Sequence, residues 1–444
     1  MIVPFRRDVT SKSIRFVWTS VNPLLAALAA WTALAAPAVA ESSPVFYKDV
    51  LPILQKHCQV CHRAGEIAPM PLTSFAEVRP WAKDIREKVT LRKMPPWFAN
   101  PRFGHFANNP SLTADEIRII QSWVEAGSPE GSPTDAPAPV HWEEGWNISP
   151  DIIFSMPEPF RIPAKATIDY QYLIIPTHFS MDRWVKAVEI RPSDRRVVHH
   201  AVLYVREPGS TWLRNVPPNT MYAPSPTDTE ALRLTRETTA DILAIYSPGA
   251  PATVCPPGMA KKIPAGSDLV LQLHYTSLDT ATKDQSDIGI AMMADDPKAR
   301  ILTLQMGSDS FVIPPGDPDH RVSVSGTMPR DAVLLSLFPH MHLRGSEFEF
   351  LLTPPGGTPE TLLDVKPYDF FWQLDYQLET PRTVHRGDRL TWIAHFDNSA
   401  NNPGNPDPAA TVRWGEQSWQ EMMIGFFDVA VEPDVDKARF FAAR

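Results

Sequence analysis

The chain has 444 residues, 47 of them proline, and a formal net charge of −9. Proline usually stands near ~5 % and is poorly tolerated inside helices and central strands, so this content excludes a helical bundle and points to short strands joined by turns. The acid excess argues against nucleic acid, whose binding rests on phosphate neutralisation by Lys and Arg, and against an anionic membrane surface; a cationic redox partner or a neutral substrate is compatible.

Residues 1–40 read as a signal peptide. Arg6, Arg7, Lys12 and Arg15 form a basic start, Leu24–Ala36 is an apolar run, and Ala38-Val39-Ala40 is a small-residue cleavage site. The run is too short for a comfortable membrane span, and the alternative reading is an uncleaved anchor. The segment carries a net +3, so its removal leaves a mature chain near −12. The expected location is periplasmic or secreted, with no membrane span after cleavage.

The first chemistry-bearing motif is Cys58-Gln59-Val60-Cys61-His62. Two thiols at this spacing can form thioethers to both vinyl groups of one haem, and the adjacent histidine reaches the iron. A zinc site would want a second Cys/His pair nearby, and none follows. The sixth iron ligand is Met94, in the Pro-rich run Arg92–Trp97, or Met70, with His105 as a further candidate. Thr113 and Glu116 form a capping box, Ile117, Ile120 and Val124 recur at helical spacing, and Gly127 is placed to end that helix. Residues 41–128 are therefore expected to be a small all-α cytochrome c-like haem domain, with 129–141 as a Pro-rich, semi-rigid linker. The third cysteine, Cys255, is left over, so no disulfide framework is implied.

From residue 142 onward the chain reads as β-structure, in runs such as Val197–Val205, Leu269–Tyr275, Val333–His342, Phe348–Leu352 and Leu390–Phe396. Two successive all-β sandwich domains, 142–310 and 311–444, fit the length. Several of the 13 histidines lie in these runs. His199 and His200 are neighbours, and neighbours in a regular strand point to opposite faces, so both serve one metal only across a bulge or a twist. His274, taken alone, reads as a hydrogen-bonded core residue. His340 and His342 share a face, so both imidazoles can meet one ion. Met422 would be a core residue, but a thioether beside two imidazoles favours copper over zinc or magnesium.

Together and in this order, the stretches HHAVLYV, LVLQLHYTS, PHMHLRG and EMMIGFF resemble the ascorbate-dependent type II copper monooxygenases, which include peptidylglycine α-hydroxylating and dopamine β-monooxygenases. The resemblance implies two jelly-roll-like β-sandwiches with one copper ion each. His199, His200 and His274 would hold the electron-accepting copper; His340, His342 and Met422 would hold the copper that binds oxygen and does the catalysis. Where the peptide-processing members grip a carboxylate with an arginine, an asparagine and a tyrosine, this chain has Phe338, Ile424 and Phe426. That departure implies a substrate with an apolar body near the reacting C–H bond.

The expected function is that of an exported, haem c-linked copper monooxygenase acting with O2 on a small, partly apolar organic substrate. Its cofactors would be one covalent haem c and two copper ions. Its donor would be a cytochrome, a quinol-linked protein or a small reductant. Electrons would pass from haem to the three-histidine copper and then to the His340/His342/Met422 copper. Asp397, Glu421 and His395 are candidates for proton handling, with solvated or capping roles as the plainer reading. The competing class is a non-enzymatic haem–copper electron-transfer or copper-handling protein.

Overall fold

Proline-punctuated apolar runs can bury themselves only by pairing with other runs, and the strands of this protein do so almost wholly antiparallel. The computed structural model describes residues 43–142, 145–224, 240–249, 251–415 and 417–440. The expected signal peptide, 1–40, lies outside the described residues. Among the described residues no helix is long and apolar enough to cross a membrane.

Three sheets matter for the site. A five-stranded sheet runs Met221–Tyr222, Gln171–Pro176, Asp268–Tyr275, Val198–Arg206, Asp241–Tyr246. A four-stranded sheet runs His320–Thr327, Arg389–Phe396, Gly345–Thr353, Glu360–Val365. Between them a nine-stranded sheet carries, among others, Arg183–Arg191, Met259–Ile263, Ala299–Ser308, Met423–Val431, Ala332–His340 and Tyr376–Val384 in that spatial order. One end of this long sheet packs on the five-stranded sheet through residues such as Val188, Ile290, Leu203 and Leu271. The other end packs on the four-stranded sheet through Leu302, Leu337, Phe350, Trp392 and Phe427. Strand patterning explains the difference between layers. Gly345–Thr353 buries alternate residues (Phe348, Phe350, Leu352), whereas Leu269–Leu273 is buried throughout and is covered on both faces.

Four short helices lie ahead of the strands: α1 Leu51–His57, α2 Phe75–Val78, α3 Ala82–Thr90 and α4 Ala114–Glu125. They share a small core of Phe46, Leu54, Val78, Val89, Ile120 and Trp123. The Thr113/Glu116 capping box forms, and Gly127 adopts φ +87° beyond the helix end. The Pro-rich run that follows folds back on the helices: Phe46 N–H donates to Pro129 O at 3.0 Å, and the Trp123 indole donates to the same carbonyl at 2.9 Å.

The expected fold class is corrected by this arrangement. No small all-α cytochrome domain stands apart; residues 43–444 form one compact unit, built mostly of β-sandwich-type sheets as the expected β-rich part was. Two features mark this unit. First, Ala299–Ser308 belongs to the expected first sandwich, yet it pairs antiparallel over nine positions, Arg300↔Val431 to Ser308↔Met423, with a strand of the expected second. The inner faces of both sandwiches therefore lie on one continuous sheet. Second, the segment 97–109, which the sequence assigns to the helical part, is stitched to the sheets. Asn100 N–H donates to Asp364 O (2.8 Å) and Ala107 N–H to Gln377 O (2.9 Å), while Trp97 meets Tyr376 with ring centroids 4.7 Å apart. The helices close a small core of their own, and the segment 97–109 that follows them packs on the sheets through Trp97, Phe98 and Phe106.

Candidate metal centre

The His199-His200 pair satisfies the condition that the sequence set for it. In the pairing of Val198–Arg206 with Asp268–Tyr275, His274 faces His200, but Tyr275 faces Val198. His199 is the extra residue of a β-bulge, which turns its ring to the side of its neighbour. His199 Nδ1 and His200 Nδ1 lie 3.1 Å apart, and ligand atoms of His199, His200 and His274 all fall within 4.8 Å of one another. Tyr170 covers the group, 4.8 Å from the His274 ring and 5.6 Å from the His200 ring.

The second group sits on the nine-stranded sheet. His340 ends the strand Ala332–His340, and His342 follows it, with the two rings 5.3 Å apart and nearly perpendicular. Met422 immediately precedes the neighbouring strand Met423–Val431. His200, His340, His342 and Met422 all line one cavity of ≈ 60 Å³. The rest of its wall is mostly apolar, including Phe338, Ile424 and Phe426, the three positions where the sequence departs from the peptide-processing pattern.

Tautomers follow from the hydrogen bonds. Gln373 Oε1 lies 2.8 Å from His340 Nδ1, and the Gln373 amide nitrogen donates to Phe370 O at 3.4 Å, so the oxygen faces His340 and accepts from it. The Gln420 carbonyl lies 3.3 Å from His342 Nδ1. Each partner leaves Nε2 as the lone-pair nitrogen, as a metal-holding imidazole requires. Among the described residues, three buried imidazole nitrogens have no hydrogen-bond partner: His199 Nε2, His274 Nδ1 and His342 Nε2. Burying such atoms unsatisfied is costly. Desolvation holds His199 down at about 4 and His274 at about 3, and drives His200 and His342 well below the usual histidine value. At neutral pH all four rings are uncharged, with lone pairs available. The donor set of His199, His200 and His274 therefore fits a metal ion.

Sequence reasoning missed part of the frame. Glu421 is fully buried and accepts from His342 N–H (2.8 Å) and Arg344 N–H (2.7 Å), clamping the His340–Arg344 backbone. Its role is structural support and not the solvated or capping one read from the sequence. Asp397 takes part in a turn, accepting from Ser399 N–H, and His395 pairs with Asp319 at 2.7 Å; neither lines the cavity. Gln373 and Phe370 carry no sequence signal at all.

The CxxCH motif lies where α1 ends. Cys58 and Cys61 are free thiols. Burial, the largest cause, pushes Cys58 up to about 12 and Cys61 up to about 11. Such thiols are protonated and unlike the low-pKa thiolates of dithiol redox sites. His62 Nδ1 lies 3.1 Å from Met70 O, which leaves its Nε2 to face away. Cys58, Cys61, His62 and Met94 line a cavity of ≈ 340 Å³ closed on the far side by Ser247–Gly249 and Trp372–Asp375. Met70 does not line it; its side chain packs on the helical core. Of the two methionines named from the sequence, Met94 alone lines this cavity. Gly249 has φ +79°, and a Cβ there would stand 2.5 Å from Cys61 Sγ, so glycine is required by both backbone and space. Cys255 lies elsewhere, its thiol 3.6 Å from Val185 O.

No protein-family model matches the chain, and no curated protein does. Among solved structures, similarity is found to infectious bursal disease virus particles. The Gx strain structure is 10 % identical over 70 % of this chain and 78 % of that one, with a TM-score of 0.19. The subviral particle of the virus is 10 % identical over 69 % and 77 %, with a TM-score of 0.18. These scores are too low to relate the folds.

Proposed function

We propose that this chain is a haem c-linked copper monooxygenase of the type II, ascorbate-dependent kind, which hydroxylates a C–H bond of a small, partly apolar organic molecule with O2. The observation that carries the reading is the convergence of six side chains from distant parts of the sequence. His199, His200 and His274 form one cluster, and His340, His342 and Met422 line the cavity that His200 also lines. Strand pairing alone does not account for buried imidazole nitrogens without hydrogen-bond partners; bound metal ions would satisfy them.

The copper ions would supply one-electron redox chemistry with O2, and the haem, held by Cys58, Cys61, His62 and Met94, would relay electrons. The protein supplies everything else. Desolvation keeps the imidazoles neutral. Gln373 and the Gln420 carbonyl fix two of them by their Nδ1–H groups, and Glu421 holds the intervening backbone. Phe338, Ile424 and Phe426 exclude water and present no group that would bind a substrate carboxylate. Export to the periplasm or beyond belongs to the same proposal and rests on the signal-like residues 1–40.

Elemental analysis of the mature, copper-loaded protein tests this. Two copper atoms and one iron per chain are expected, with O2 consumption dependent on an added C–H substrate. One iron and no retained copper would remove the catalytic reading. Full metal loading without coupled O2 consumption would leave an electron-transfer or copper-handling protein.

A further inference from the structure

The metal cavity lies between two sheets, and its two walls differ in chemistry. On the side of the nine-stranded sheet, His340, His342 and Met422 stand among Phe338, Ile424 and Phe426. The opposite wall comes from the five-stranded sheet, where side chains two apart along a strand share a face. Gln272 stands two residues before His274, and Tyr204 four after His200, so both project to the side of the histidine cluster, and both line the cavity. They form a short polar chain: the Tyr204 hydroxyl donates to Gln272 Oε1 at 3.3 Å, and Gln272 Nε2 donates to the Tyr172 hydroxyl at 2.5 Å. All three side chains are buried. An amide carries two N–H donors and an oxygen with two lone pairs, so these contacts use half of what Gln272 offers. The other amide on the cavity, Gln373, is committed to His340 and to Phe370 O. Among the described residues no Asp, Glu, Lys or Arg lines the cavity, and His200 and His342 are uncharged at neutral pH. An ammonium or carboxylate entering it would leave water without meeting a counter-charge.

We infer that Gln272 and Tyr204 determine specificity: they hold the hydroxyl or carbonyl oxygen of a small uncharged substrate, whose hydrocarbon part then lies against Phe338, Ile424 and Phe426 beside His340, His342 and Met422. The inference rests on the functional reading above and names the substrate class of that site. The cavity of ≈ 60 Å³ has room for about four to six water-sized groups, which limits the substrate to a compact alcohol, ketone or amide of about that many heavy atoms. Apolar walls on both sides would take a hydrocarbon in any orientation. A polar pair on one wall alone gives one orientation, with the oxygen toward the five-stranded sheet and the C–H bonds toward the ligand side chains. An analogue without the oxygen would leave the remaining amide capacity buried and unmet, the situation in which recognition of a substrate oxygen is most selective.

The test uses the full copper-loaded protein, with copper and iron counted first, and isothermal titration calorimetry with probes of nearly one shape: cyclopentanol, cyclopentane and cyclopentylammonium. Cyclopentanol should bind about tenfold or more tighter than either of the others, the margin of a hydrogen bond made in a buried site. In Gln272→Leu the alcohol and the hydrocarbon should bind within about twofold of each other, and Tyr204→Phe, which keeps the ring, should lose about threefold or more of the preference. A ratio between two ligands on one protein cancels any loss of folded material, so general destabilisation does not imitate the effect. The inference is overturned if the wild type binds none of the probes, if it binds the ammonium or the hydrocarbon as tightly as the alcohol, or if the preference survives in Gln272→Leu. Should Gln272→Leu not fold, Tyr204→Phe decides by the same ratio. A protein that retains no copper yet keeps the alcohol preference sinks the monooxygenase reading and leaves Gln272 as the anchor of a ligand site; copper retained without the preference does the reverse.

Discussion

Glu421 shows how much a single buried acceptor contributes to a site it never enters. Its two oxygens take the N–H groups of His342 and Arg344, the residues that flank Leu343 and fix the exit of the HxH strand. Burial, the leading cause, pushes its carboxyl up to about 8, against the pull of those N–H groups. Replacing it with alanine leaves two backbone donors buried without partners, at an expected cost of about 2–4 kcal/mol. Glu421→Gln, which keeps the shape and one acceptor, should cost about half as much. Urea unfolding of both variants checks this, and a loss under about 0.5 kcal/mol for alanine would mean that water replaces the carboxylate. The paired histidines His199-His200 and His340/His342 were legible in the sequence because imidazoles inside apolar β-runs are conspicuous, whereas His274 and Met422, taken alone, read as core residues. Glu421 was not legible, because a lone acid beside two methionines looks the same whether it caps a turn in solvent or staples a backbone in the core.

Elements were legible to differing degrees, for a reason tied to locality. The strands Val198–Arg206, Asp268–Tyr275 and Arg389–Phe396 and the helix α4 lie within a residue or two of their expected bounds, because their patterns and caps are written in adjacent residues. The bulge at His199 could be stated only as a condition, since it depends on the strand opposite. The helix α4 also yields a pH prediction. Burial alone would raise Glu116, but hydrogen bonds from Thr113, His57 and Lys56 overcome it and hold the carboxyl down at about 2, against an ordinary value of 4.5. A depressed carboxylate contributes stability that is present above the unfolded value and lost as pH falls through the folded one. The wild-type protein should therefore lose stability between about pH 4.5 and 2 in part through this group, and Glu116→Gln should lose less over the same range. Urea midpoints across that range decide the matter; equal slopes for the two proteins would show that the cap is not linked to acid unfolding.

At the scale of the whole molecule, the expected separate all-α domain gave way, and the shared sheet stayed illegible, because composition marks where a chain turns but not which strands share a sheet. The pairing of Ala299–Ser308 with Met423–Val431 joins residues more than a hundred positions apart, and nothing in either strand names its partner. The same holds for the strap 97–109 and for the ion pair of Glu66 with Arg195, 3.0 Å apart, which ties the CxxCH loop to the turn before His199. A physical consequence separates one compact unit from a chain of modules. If the helices fold only together with the sheets, they cannot outlive them. Pulsed hydrogen exchange in rising urea should then label peptides from α1 and α4 in the same transition as peptides from Gly345–Thr353 and Arg389–Phe396. Proteolytic nicking within 129–141 should likewise release no folded fragment spanning 43–128, since that fragment's contacts with the sheets, in particular Trp97 and Phe106 on Tyr376, would be lost with the rest of the chain. A helical fragment that survives the nick with protected amides, or an earlier labelling step confined to α1 and α4, would restore an independent haem domain.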